Sequence, residues 1–203
     1  MQRMKLGRGG RIRALMGMTL ALTVLSASSG IAVAKSDDHW GDHWRGRTPT
    51  GDELDIAAAR MVSARFADIN QAYAEGYINF YKCTEQPGVG TMGQHLVNLD
   101  YVGDPAINPL RPEALVYEPT RNGGWRLVAV EYVVMKQDWE NAFGTTRTPT
   151  VLGQDMLFRA AGNRYGLPDF YERHAWLYKS NPDGLFADWN PRLSCRGTGD
   201  NGG

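Results

Sequence analysis

The sequence predicts an α+β domain: one amphipathic helix packed on an antiparallel sheet of about four to six strands, with a long irregular loop region. Three observations carry this expectation. Apolar residues recur at three- and four-residue steps over 52–76; two apolar, β-branched runs at 114–118 and 125–135 flank Asn122-Gly123; and shorter runs at 94–98 and 173–178 have strand character. A helical segment set beside hairpin-connected strands, rather than alternating with them, belongs to the α+β class.

Taken from the N-terminus, residues 1–34 are organised as an export signal. Arg3, Lys5, Arg8, Arg11 and Arg13 precede an apolar run over 14–33, and Ala32-Val33-Ala34 fits a small-x-small cleavage site. Ser26, Ser28, Ser29 and Gly30 interrupt the run before it reaches the ~20 apolar residues of a spanning helix. The expectation is therefore a cleaved signal peptide and no integral membrane segment in the mature chain. No cysteine stands at the cleavage point and no arginines are paired, which leaves Sec-type export to the envelope, the periplasm or the extracellular space. Cleavage removes five basic and no acidic residues, leaving 17 against 22, a formal charge of −5. A chain of that sign lacks the basic face that nucleic acid requires.

Residues 35–50 have too little aliphatic content to offset the entropy of ordering and are expected to form a flexible polar leader. Cleavage after Ser36 would obey the same small-x-small rule and leave Asp37, Asp38 and His39 at a free N-terminus, a square-planar donor set for Cu(II) or Ni(II). Cleavage after Ala34 destroys that set, and His39 and His43 are then solvated polar residues. A single domain is expected over 51–195, followed by a disordered glycine-rich tail at 196–203.

Over 52–76 the inward face expected is Leu54, Met61, Val62, Phe66, Ile69 and Tyr73, with Thr50 as N-cap, Glu53 completing a capping box and Gly76 at the C-terminal stop. A short strand at 94–98 leads into a proline-rich connection through Pro105, Pro109 and Pro112. The hairpin across Asn122-Gly123 follows. Glycines and prolines break any periodicity over 136–170, which predicts irregular chain with one helical turn near Met156. A strand at 173–178 precedes the turn Asn181-Pro182-Asp183-Gly184. The aromatics of this half, Trp139 to Trp189, are expected in packing. Cys83 and Cys195 are the two cysteines; in an oxidising compartment they form one disulfide, worth ~3–5 kcal/mol for so long a loop.

Two histidines fall in the expected strands, His95 and His174. Glu131 stands among Val130, Tyr132 and Val133, where an ionised carboxylate needs a partner. A two- or four-residue hairpin loop sets Glu118 opposite Leu127 and on the same sheet face as Glu131; an odd-length loop separates them. His95, Glu118, Glu131 and His174 on one face would hold a transition metal (zinc, iron, manganese or copper) or form an acid–base pair beside a small-ligand pocket. The alternative is that these groups simply hydrogen-bond one another in a non-catalytic envelope or extracellular interaction protein. No GxSxG, HExxH, GxxxxGK or GxGxxG signature is present, and the spacing of the cysteines rules out CxxC.

The chain resembles an uncharacterised family of exported bacterial proteins. The segments that carry the resemblance are 83–98, Cys-Thr-Glu-Gln-Pro-Gly-Val-Gly-Thr-Met-Gly-Gln-His-Leu-Val-Asn; 112–119, Pro-Glu-Ala-Leu-Val-Tyr-Glu-Pro; 127–134, Leu-Val-Ala-Val-Glu-Tyr-Val-Val; 174–178, His-Ala-Trp-Leu-Tyr; and 181–195, Asn-Pro-Asp-Gly-Leu-Phe-Ala-Asp-Trp-Asn-Pro-Arg-Leu-Ser-Cys. Ala64-Arg65-Phe66, Gly76-Tyr77 and Leu152-Gly153-Gln154 belong to it as well. The resemblance agrees with export and with a Cys83–Cys195 pairing, and implies no activity.

Overall fold

The computed structural model describes residues 50–196. The expected signal peptide, the leader up to residue 49 with Asp37, Asp38 and His39, and the tail from 197 lie outside the described residues. Thr50 caps α1 (Gly51–Ser63): its hydroxyl accepts from the Glu53 amide at 3.4 Å, and the Glu53 carboxylate accepts from the Thr50 amide at 2.8 Å. The helix expected to run unbroken to Gly76 is instead three pieces, α1, a 3-10 turn at Ala64–Ala67 and α2 (Ile69–Ala74). Asp68 makes the break. Its backbone is extended and its carboxylate accepts from the Asn70 amide at 3.0 Å, which starts α2 afresh with a cap of its own.

The buried face also differs from the one expected. Ala59, Ser63, Phe66 and Ala72 reach the core, with Ile56 and Ile69 partly covered, whereas Leu54, Met61 and Tyr73 stay exposed at 56%, 73% and 42%. Small residues at 59 and 63 let α1 approach the sheet closely. The buried Ser63 hydroxyl is satisfied there, bonded to the Ala59 carbonyl at 2.6 Å and to the Tyr178 hydroxyl at 2.8 Å.

After α2 the chain runs through β1 (Ile78–Gln86), β2 (Gly90–Val97), α3 (Leu99–Val102), β3 (Ala114–Pro119), β4 (Trp125–Met135), α4 (Lys136–Phe143), β5 (Thr150–Val151), β6 (Gln154–Asp155), β7 (Leu157–Arg159) and β8 (Phe170–Ala175). Six strands form one antiparallel sheet in the order β1-β2-β3-β4-β8-β7, and β5 pairs with β6 apart from it. The α+β expectation is met. The stretch 136–170 is more regular than its glycines and prolines suggest, for it holds α4 and three short strands, and Met156 lies between β6 and β7 rather than in a helical turn. The strand expected at 173–178 ends at Ala175, because the Trp176 amide turns away to the Leu185 carbonyl at 2.9 Å.

The hairpin of β3 and β4 closes through five residues, 120–124, an odd number, so Glu118 opposes Arg126 and not Leu127. The register then shifts by one. Tyr117 pairs with Leu127 but Val116 pairs with Ala129, which leaves Val128 as the extra residue of a bulge. Val128 and Ala129 consequently lie together in the second apolar cluster, with Val116, Trp176 and Leu193, while Leu127 and Val130 lie in the main core under the helices. From Ala129 onward β4 is re-phased, and Glu131 shares a face with Ala114, Val116 and Glu118 despite the odd loop.

That second face is roofed by the C-terminal segment. Thr91 and Asn190 form a two-way backbone bridge, the Thr91 hydroxyl donates to the Leu193 carbonyl at 3.0 Å, and Cys83 is bonded to Cys195. Gly90 permits the approach: its φ is +147°, and a Cβ there would sit 2.8 Å from the Asn190 carbonyl carbon and 2.9 Å from the Pro191 nitrogen. Among the described residues no helix is long and apolar enough to cross a membrane.

Phe66 is 2% exposed and packs edge-on to Tyr77 at 5.3 Å. Phe66→Ala should cost ~3–5 kcal/mol in urea unfolding, whereas Met61→Ala should change stability by less than about 0.5 kcal/mol; equal effects would contradict the broken-helix geometry. Glu113 is fully buried, one carboxyl oxygen accepting from the Val133 amide at 3.0 Å and the other without a partner, and burial pushes its pKa up to about 8. A raised carboxyl favours the fold below the usual 4.5 and loses that contribution as pH rises toward about 8. Glu113→Gln should therefore hold its stability over that window where the parent loses ~2–4 kcal/mol, as measured by denaturant unfolding across the pH range.

Candidate metal centre

Register alone delivers the donors to one place. His174 on β8 lies directly opposite Glu131 on β4, Glu131 lies opposite Ala114 on β3, and His95 on β2 pairs with Val116 on β3. Strands β2 and β4 are two ladder spacings apart, ~9–10 Å, a gap that an imidazole and a glutamate span from opposite sides only when little stands between them. On β3 the residues between them are Val116, beside His95, and Ala114, beside Glu131, both small.

His95 Nε2 is 3.3 Å from His174 Nε2 and 3.5 Å from Glu131 Oε2; His174 Nδ1 is 3.6 Å from Glu131 Oε1. The two rings meet edge to face at 88°, and His174 is stacked on Trp176, which fixes its plane. His95 is 3%, Glu131 4% and His174 0% exposed. Between imidazole and carboxyl the separations are too long for hydrogen bonds, and neither Nδ1 has a hydrogen-bond partner. The two Nδ1 atoms are thus buried polar atoms left without partners in this cluster.

Burial disfavours the charged form of all three groups. Burial, and next to it the neighbouring His174, pushes His95 down to about 3, and burial pushes His174 down to about 4. Burial raises Glu131 well above the carboxylate range, and the adjacent Glu172 raises it further, with Asp188 beyond. Both imidazoles thus present lone pairs at neutral pH without competition from protons.

Of the four residues expected at the site, His95, Glu131 and His174 converge and Glu118 does not. Glu118 is on the same face but about 13 Å along β3 from Ala114, at ~3.3 Å per residue, and is paired with Arg126 at 3.2 Å and with Lys179. In its place stands a set that sequence reasoning missed. Glu172 is 1% exposed and accepts from Arg159 Nε at 2.6 Å, and the same guanidinium reaches Asp188. Glu172, His174 and Asp188 offer a second overlapping group of donors. Alternation held the signal for Glu172, since it precedes His174 by two residues on one strand and so shares its face; Arg159 and Asp188 lie on short or irregular segments with no pattern to read.

Above the donors is a cavity of about 60 Å³. His95, Glu131 and Glu172 line it together with Tyr81 and Tyr165, and the rest of the wall is apolar: Val97, Val133 and Phe170 from the sheet, Leu99 and Val102 from α3, and Leu167 from the loop before β8. Comparison with family models, curated proteins and solved structures returns no match to this chain.

The depressed imidazoles set the acid limb of stability. Their contribution is complete above the ordinary value of 6.5 and is lost as pH falls through about 4 and about 3, because unfolding at low pH releases neutral histidines to take up protons. In metal-free protein, His174→Gln should flatten the loss of unfolding free energy between about pH 6.5 and about pH 4 relative to the parent. An unchanged acid limb would mean that His174 is not held neutral by burial.

Proposed function

We propose that this is an exported protein whose domain binds one divalent transition metal through His95, His174 and Glu131. The observation that carries the reading is the separation of the donor atoms. Ligands placed at ~2.0–2.1 Å around a tetrahedral ion lie ~3.3–3.4 Å apart; His95 Nε2 lies 3.3 Å from His174 Nε2 and 3.5 Å from Glu131 Oε2, and one ligand atom from each of the three residues lies within 4.8 Å of the others. Two imidazoles and one carboxylate form a donor set suited to zinc, iron or manganese. Binding would give the buried Glu131 carboxylate, which its surroundings push toward the neutral form, a positive partner. Glu172, steadied by Arg159, lies beside Glu131 in the outer shell and helps to hold its orientation.

The export signal, the disulfide and the resemblance of the segments around His95, Glu131 and His174 to exported bacterial proteins support placement outside the cytoplasm. Untagged mature protein should bind one cobalt(II) or zinc(II) per chain by elemental analysis, with visible bands of low-symmetry cobalt. His95→Ala, His174→Ala and Glu131→Gln should each weaken binding beyond the ~10–100-fold typical of an outer-shell loss, and Glu118→Gln should leave it unchanged. Metal content no higher in the parent than in Glu131→Gln would remove the site and leave the interaction-protein reading.

A further inference from the structure

Two groups of donors overlap at this centre. His95, Glu131 and His174 form the first, and Glu172, His174 and Asp188 form the second, each with one ligand atom per residue within 4.8 Å of the others. His174 belongs to both and is wholly buried; its Nε2 faces His95, and its Nδ1 has no hydrogen-bond partner. Asp188 Oδ1 is a second buried atom without one. Donor groups that share a ligand in this way are the framework of a two-metal site, in which the ions stand ~3.5–4 Å apart.

The second group already has a cation. Leu157 opposes Glu172 and Arg159 opposes Phe170, so alternation puts the Arg159 side chain on the face that carries Glu172 and His174. Arg159 Nε donates to Glu172 Oε1 at 2.6 Å, and its Nη2 donates to Asp188 Oδ2. One guanidinium thus takes up the carboxylate oxygens that a second ion would need. The two other arginines nearby are engaged elsewhere: Arg173 donates to the Phe186 and Asp155 carbonyls, and Arg164 lies over the Trp189 ring, 5.1 Å from its centre.

A guanidinium keeps its charge across the physiological pH range and holds two carboxylates in a fixed fork. Tethered by its own strand, it meets Glu172 and Asp188 at an effective concentration that a trace metal in solution does not reach. Resting on the metal-site reading, we propose that Arg159 is the resident cation of the second donor group and so fixes the centre at one divalent ion per chain; without that side chain, Glu172, Asp188 and His174 take up a second ion.

Untagged mature protein, stripped of metal, titrated with zinc(II) and freed of unbound ion, should saturate at one zinc per chain by elemental analysis even when zinc is in excess. Arg159→Lys, which keeps the charge, should also stop at one. Arg159→Ala should take up two, and Arg159→Ala combined with Asp188→Asn should return to one. Loaded with cobalt(II), Arg159→Ala should show two ions that couple magnetically and weaken the electron paramagnetic resonance signal per ion, which a second ion on a distant surface would not do. Arg159→Gln makes the same test should Arg159→Ala fail to fold by circular dichroism. Two ions in the parent, one or none in the folded neutral variants, or two ions without magnetic coupling would overturn this inference alone. A parent that takes up no ion would overturn the metal reading with it.

Discussion

One extra residue in β4 is the constraint on which the polar face of this sheet depends. With a five-residue turn and an unbroken ladder, Glu131 would point into the core beneath α1, where Tyr132 and Val130 now lie. The bulge at Val128 exchanges the two faces of β4 from that point on, so aromatic and aliphatic side chains go under the helices and the acid goes to the other side. Strand period is two, and a shift of one is a complete inversion. The position of His174 follows from Glu131, which it opposes, and the ion pairs of Arg159 follow from Glu172 two residues earlier on the same strand.

A comparable substitution of side chain for ladder occurs at the opposite end of the site. Between Tyr81 and Thr84 the pairing of β1 with β2 slips, and the Gln94 amide bridges the gap, its oxygen accepting from the Cys83 amide at 3.1 Å and its nitrogen donating to the Tyr81 carbonyl at 2.7 Å. Gln94 thereby holds both the strand that carries His95 and the backbone of the disulfide. The face that receives the C-terminal segment is thus fixed by hydrogen bonds before the sulfur–sulfur bond is considered. The bulge sets the face of Glu131, and the ladders on either side bring His174 and His95 to it.

The fold class, the capping box at Thr50, the hairpin and the disulfide pairing were legible because each rests on a local or compositional signal: a side chain three residues from its partner, Asn-Gly between apolar runs, two cysteines in one chain. The convergence of His95, Glu131 and His174 was legible only as residue type and strand phase. What resisted reading was set by competition. Asp68 prefers its own cap to a continued helix; α1 buries the face of Ala59 and Ser63, opposite Met61 and Leu54; the bulge at Val128 has no signature in a run of Val and Ala; and Glu118, of the right type on the right face, was placed too far along its strand for any pattern of alternation to reveal.

His95 and His174 are 79 residues apart in sequence, and Cys83 and Cys195 are 112 apart. Contacts so distant along the chain form late, because loop closure must precede them, and a sheet assembled from such pairings folds slowly. No short segment of this protein carries two of the three donors. The proposed site would therefore not exist before the sheet has formed, and an ion there would not nucleate the fold as it does in a zinc finger. Capture of metal would be the last event in maturation, and the ion acquired would be one available where folding finishes.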